Sequence, residues 1–169
     1  MTAHLAEALG TFALVFFGCG AIAVGAETGQ LGHPVAGATL GALALRVTLG
    51  ADADLGVTQP SGSELQALAW EALLTFFLML VITAVATDTR AVGEAAALAI
   101  GGTVALGALV GGPVSGASMN PARSIGPALV SGELDALWIY LVGPVIGAIA
   151  AALVYRFLRS GSTVDERSS

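Results

Sequence analysis

The sequence predicts an all-α membrane protein: a bundle of about five membrane helices with one re-entrant half-helix. Three observations carry that expectation. The chain of 169 residues is 56% hydrophobic and only 11% charged, unlike a soluble domain. Long uncharged runs recur at the length needed to cross a hydrocarbon core, as in Leu9 to Ala26, Ala72 to Thr87 and Ala136 to Tyr155. One further apolar segment, opened by Asn120-Pro121, is long enough for only about half a crossing at helical rise.

Taken in order, the expected helices are 4–25, 35–49, 65–87, 93–111, 121–130 and 136–158. The start, Met-Thr-Ala-His, has no basic stretch ahead of its apolar run, so the first span reads as retained. Cys19, the single cysteine, lies inside that span and reads as a packing thiol, with no intramolecular disulfide available. The polar stretch Gly50 to Glu64 divides two parts of unequal length, and Thr87-Asp88-Thr89-Arg90 is a short loop. The serine-rich, charged end from Ser160 reads as a disordered tail.

A weak repeat runs through this order. Ala6-Glu7-Ala8-Leu9 is followed by Thr11-Phe12, and Trp70-Glu71-Ala72-Leu73 by Thr75-Phe76, each pair opening an apolar helix. Matching positions in two halves point to a membrane protein assembled from duplicated units. All six cationic side chains are arginines. Arg90 lies between two spans and Arg156, Arg159 and Arg167 lie at or after the end of the last one, which assigns the 88–92 loop and the C-terminus to the cytoplasmic face. Gly50–Glu64 and Glu133–Asp135, both acidic, then face the other side. The net charge of −6 sits almost wholly in loops and is therefore no argument for an acidic partner.

The chemistry concentrates at Asn120-Pro121-Ala122-Arg123, after the Gly- and Ser-rich approach Gly111 to Met119. Pro121 suits a first helical turn, where its missing N–H costs nothing. An extended approach at membrane depth is tolerable only where its backbone lines a cavity or is buried in protein. Asn120 would offer its amide to a passing solute, and the positive end of the helix dipole would oppose cations. Arg123 would supply fixed charge, and an arginine at membrane depth usually marks function. Asn120 is the only asparagine in the chain, so the motif occurs once. Read locally, Asn before Pro is also a common helix cap.

Other chemistries find little support. His4 and His33 have no Cys, Asp or Glu at ligand spacing, so no metal site or cofactor is expected. Ser115, Ser118 and Ser124 have no positioned base, so the sequence does not read as an enzyme. No basic aromatic surface suggests nucleic acid. Gly101-Gly102, Gly107, Gly111-Gly112, Gly143 and Gly147 read as close-packing points between helices, and Trp70, Trp138 and Tyr140 as interfacial anchors or packing residues.

The segment from Gly112 to Ser124 closely resembles the second pore loop of the aquaporin (major intrinsic protein) superfamily, notably the nodulin-like intrinsic proteins and their bacterial relatives. Ala6 to Phe12, Leu98-Ala99-Ile100-Gly101 and Trp138 to Pro144 resemble that family's first, fifth and sixth helices. The resemblance implies a passive channel for water and small uncharged solutes such as glycerol, in the cell membrane, assembled as a homotetramer. It places Ala108 and Ala117 beside Arg123 at the selectivity filter, a wide constriction. It gives Glu71, and its counterpart Glu7, the task of holding pore loops, with Gly116 and Ser118 in the second loop.

The chain departs from the family in having one such loop. After Gly32-His33 it passes to Pro34 to Gly41, which resembles the middle of the family's third helix, so the second helix and first Asn-Pro-Ala loop are missing. Residues 1–50 therefore read as an incomplete first repeat, 51–64 as an extracellular loop, 65–159 as a complete second repeat and 160–169 as the tail. If the N-terminus is cytoplasmic, crossing parity does not let 34–49 simply span. They must descend and return, or the first helix must invert, and descent through an extended stretch over 26–33 is the favoured expectation. Glu7 is left without an evident partner, and half the pore wall is absent. The rival expectation is a shortened, non-conducting family member with a structural or assembly role.

Overall fold

A computed structural model describes residues 33–50, 55–87 and 94–165. The expected first helix, Glu7, Cys19, the path of 26–32 and Arg90 lie outside the described residues. Five helices occur among those described: α1 (His33–Leu49), α2 (Glu64–Thr87), α3 (Glu94–Ser115), α4 (Pro121–Ser131) and α5 (Leu137–Asp165). Three of them, over Glu64–Val85, Ala95–Ser115 and Leu137–Arg159, are long and apolar enough to cross a membrane, and the apolar part of α1, Pro34–Leu49, is shorter. With α4 at half length, the result is a shortened bundle of membrane helices with no strand among the described residues.

Local sequence explains the helix ends. Ser63 starts α2, its Oγ accepting the N–H of Gln66 at 3.2 Å while its carbonyl takes that of Ala67. Asn120 caps α4, Pro121 occupies the first helical position, and Gly132 closes the helix in the left-handed conformation at φ 84°. Two boundaries differ from expectation. The helix predicted to stop at 111 continues through Gly112 and Pro113 to Ser115. Gly-Gly-Pro breaks helices in water, but in apolar surroundings an unwound backbone would leave its polar groups without partners. The non-helical approach is thereby reduced to residues 116–120, three of which are left-handed and not extended. The last helix runs to Asp165, past the expected end at 158, so the serine-rich segment begins as helix.

Packing is most extensive between α2 and α5, then between α1 and α4 and between α2 and α3, with a lighter contact of α4 on α5. Between apolar helices in lipid no water is displaced, so close approach and dispersion hold the bundle. Gly143 and Gly147, one turn apart on α5, lie directly against α2: a Cβ on Gly143 would stand 2.8 Å from Glu71 Cβ, and one on Gly147 would meet the Ala72 carbonyl. Gly126 of α4 meets the backbone of Ala38 and Thr39 of α1 in the same way. Gly102 and Gly112, read as packing points, meet nothing within 4 Å among the described residues. Leu98, Leu106 and Leu109 on α3 and Ile146, Ile149 and Leu153 on α5 are exposed, the surface expected of spans facing lipid.

Candidate functional site

The site is built on the loop that joins α3 to α4, where that loop meets α2, and its centre is a carboxyl group. Glu71 is fully buried on α2. Its Oε1 accepts from Ser115 Oγ at 2.8 Å and from the Ser118 backbone N–H at 2.9 Å, and its Oε2 accepts the Met119 backbone N–H at 2.8 Å. Ser115 Oγ in turn accepts the N–H of Ala117 at 3.2 Å. Three consecutive amides of the loop are thus satisfied inside the protein, which unhydrated backbone at this depth requires.

These contacts hold an unfavourable backbone. Gly116, Ala117 and Met119 have φ of 80°, 43° and 52°. For a residue with a Cβ the left-handed region costs on the order of 1 kcal/mol, so the anchors must outweigh that strain. At Gly116 space is short as well, since an added Cβ would meet Thr58 Cγ2 at 3.3 Å. Ala117 and Met119 pack into the apolar cluster of Leu74, Leu78 and Val104. The loop is therefore a core element rather than a surface excursion.

From Glu71 the loop leads into α4. Asn120 is extended, φ −152° and ψ 108°, and its Oδ1 accepts the N–H groups of Ala122 at 3.0 Å and Arg123 at 3.4 Å. Because both partners are donors, the amide oxygen must face the helix, and its NH2 is directed away from it. Arg123, half-buried, stands in the first turn of α4. Ser118 Oγ donates to the Asn120 carbonyl at 2.8 Å and shares a hydrogen bond with Ser124 Oγ at 2.6 Å. Ser124 Oγ shares another with Thr58 Oγ1 at 2.7 Å.

The structure thus brings Glu71, Gly116, Ala117, Ser118, Asn120, Pro121, Ala122 and Arg123 into one loop-and-helix unit. Ala108 is half-buried on α3, next to Gly107, whose added Cβ would meet Met119 Sδ at 3.0 Å. Four supporting residues were not among the sequence candidates: Thr58, Ser115, Ser124 and Tyr140. Tyr140 is fully buried and donates its hydroxyl to the Ser115 carbonyl at 2.7 Å, which makes it a packing residue and not an interfacial anchor. Ser61 N–H similarly donates to the Val114 carbonyl at 3.0 Å, tying the 55–63 segment to the end of α3. The signal available for these residues was general: a hydroxyl in an apolar setting needs a partner. Among the described residues no group of three His, Cys, Asp or Glu could hold a metal ion.

Apolar spans surrounding a buried, glutamate-anchored loop and a capped half-helix define a multi-pass helical membrane protein. The Major intrinsic protein family matches residues 28–155. Aquaporin NIP1-1 of Zea mays is 40% identical over 208 aligned positions, covering 92% of this chain and 74% of that protein. Aquaporin NIP1-1 of Oryza sativa subsp. japonica is 52% identical over 124 positions (73% of this chain, 44% of that protein), and Nodulin-26 of Glycine max 61% over 102 (60% and 38%). This chain belongs to the major intrinsic protein family, close to its nodulin-like members, which are channels and not enzymes. The chain spans less than half the length of the rice and soybean relatives. The maize alignment is longer than the chain itself, so it steps over residues of that relative that have no counterpart here.

Proposed function

We propose that the chain is a passive channel for water and small uncharged solutes such as glycerol, with its path at Asn120 and Arg123. The observation that carries this is the anchoring of the loop by Glu71, which fixes the Asn120 cap with its NH2 directed away from α4. A fixed donor can replace one hydrogen bond of a solute's hydration shell without reorganising, and the α4 dipole and the Arg123 charge oppose cations. Ala117 and Ala108 are the small residues assigned to the constriction, and Pro121 and Ala122 complete the turn that presents it. The relatives named as aquaporins support the same reading.

The reading extends to a homotetramer in the cell membrane with the C-terminus cytoplasmic. In it, residues 1–50 form an incomplete first repeat, 51–64 an extracellular loop and 65–159 the complete second repeat, with 160–169 as the tail. Glu7 is the counterpart of Glu71 in the first repeat, but the pore loop that it would hold is missing from this sequence.

A second reading, a shortened non-conducting member with a structural or assembly role, is favoured by one observation: the chain contains a single asparagine and therefore a single Asn-Pro-Ala motif. Stopped-flow light scattering on proteoliposomes separates the two. The channel reading expects water and glycerol permeability above that of empty vesicles. Permeability equal to empty vesicles, with folded protein present, refutes it and leaves the second reading.

A further inference from the structure

We infer that Arg46 is a positioning residue for the α4 half-helix, holding it at the end remote from Asn120; the link to permeation rests on the channel reading above. Arg46 lies in the last turn of α1, and its Nη1 donates to the Val130 carbonyl at 2.7 Å, 84 positions away in sequence. Val130 is in the last turn of α4, where carbonyls have no intrahelical donor. The C-cap supplies one donor there, Gly132 N–H to the Ala128 carbonyl at 2.9 Å, and Ser131 Oγ donates to that same carbonyl at 3.3 Å. Arg46 supplies the donor for Val130 from a different helix.

Within the α1–α4 packing, a second contact also sets the half-helix. Gly126 rests on the backbone of Ala38 and Thr39, so closely that a Cβ there would stand 2.5 Å from the Ala38 carbonyl carbon. Both contacts advance in chain order along both helices, which brings their C-terminal ends to the same side. Two helix ends carrying partial negative charge then lie close together, an arrangement that a cation between them relieves. Arg46 is that cation, and its long stem lets it reach past its own helix end.

The consequence reaches the site because α4 is short. With 11 residues it is a rod about 16 Å long, with Asn120 and Arg123 at one end and the Arg46 contact at the other. Glu71 holds the loop that leads into the rod, but Glu71 contacts none of α4 itself through the bonds described above. Gly126 fixes where the rod lies, and Arg46 fixes how far along its axis it sits. Removing the guanidinium releases the far end and lets the Asn120 cap shift relative to the loop.

The test is hydrogen–deuterium exchange by mass spectrometry on purified, folded protein, with Arg46→Ala, Arg46→Gln and Arg46→Lys beside the wild type. Arg46→Ala should raise exchange in residues 120–131 by about tenfold, the order one charge-assisted hydrogen bond carries, with α2 and α5 unchanged. Arg46→Lys should return most of the protection, and Arg46→Gln, a neutral donor and the variant to use if Arg46→Ala is not recovered folded, should fall between. In proteoliposomes the ratio of water to glycerol permeability should change with Arg46→Ala, whereas a general loss of folded protein lowers both in proportion. Unchanged exchange over 120–131, a rise spread evenly over the protein, or an unchanged permeability ratio in a conducting protein overturns the inference. Wild-type permeability equal to empty vesicles refutes the channel reading alone, and the exchange result still decides whether Arg46 holds α4.

Discussion

Glu71 accepts the backbone N–H of Ser118 at 2.9 Å across 47 positions of the chain. That single bond joins the first turns of α2 to the loop before α4, and the Met119 N–H on the second carboxyl oxygen makes the joint rigid. A carboxyl group suits this place because both of its oxygens accept, and the loop presents only donors to it.

Glu71→Gln keeps the size but turns one oxygen into an NH2 donor. Facing the loop amides, that group leaves a buried N–H without an acceptor, at a cost of about 1–3 kcal/mol. Chemical denaturation in mixed micelles should show a loss of that size, and an unchanged midpoint would mean that the bonds to Ser118 and Met119 contribute nothing to stability.

Ser124 is the middle of the hydroxyl chain from Thr58 to Ser118. Ser124→Ala removes two shared hydrogen bonds and strands the Thr58 hydroxyl, for an expected loss of about 1–3 kcal/mol. Thr58→Val removes only the outer link and should cost about 1 kcal/mol. Comparing the two unfolding curves with that of the double variant tests the coupling, since independent sites would give additive losses.

Tyr140→Phe deletes the hydroxyl that donates to the Ser115 carbonyl while leaving the buried ring in place. The expected destabilisation is about 1 kcal/mol, visible as a lower thermal midpoint in detergent.

Gly126→Ala forces a methyl group against the Ala38 backbone and should cost about 1–3 kcal/mol by overpacking. Gly112→Ala is the control, because its added Cβ meets nothing within 4 Å and alanine is the better helix former. Similar losses in both variants would show that close approach of α1 and α4 is not the cause.

Arg123→Ala removes the fixed charge in the first turn of α4 without touching the Glu71 joint. Discrimination between water and glycerol should decline, and leakage of cations should rise, in vesicles that hold equal amounts of folded protein. Selectivity equal to wild type would separate Arg123 from the conduction path.

The class of the protein and most of its helices were legible in the linear chain, because lipid imposes a demand that composition alone reveals: about twenty apolar residues per crossing. Asn120-Pro121 marked the start of α4 for a similarly local reason, as side-chain capping and a missing N–H act within one turn. Ser118 and Glu71 were named as loop and support through resemblance, with no indication of which atoms would meet. The course of α3 through Gly112 and Pro113 departs from the sequence expectation because Gly-Gly-Pro breaks a helix in water, whereas apolar surroundings keep the backbone bonded. Thr58, Ser115, Ser124, Tyr140 and the Arg46 contact with Val130 were decided only by the tertiary structure. Each is an ordinary hydroxyl or guanidinium until a chain-distant group with an open hydrogen-bonding position is brought against it, and in a water-free interior that meeting determines its role.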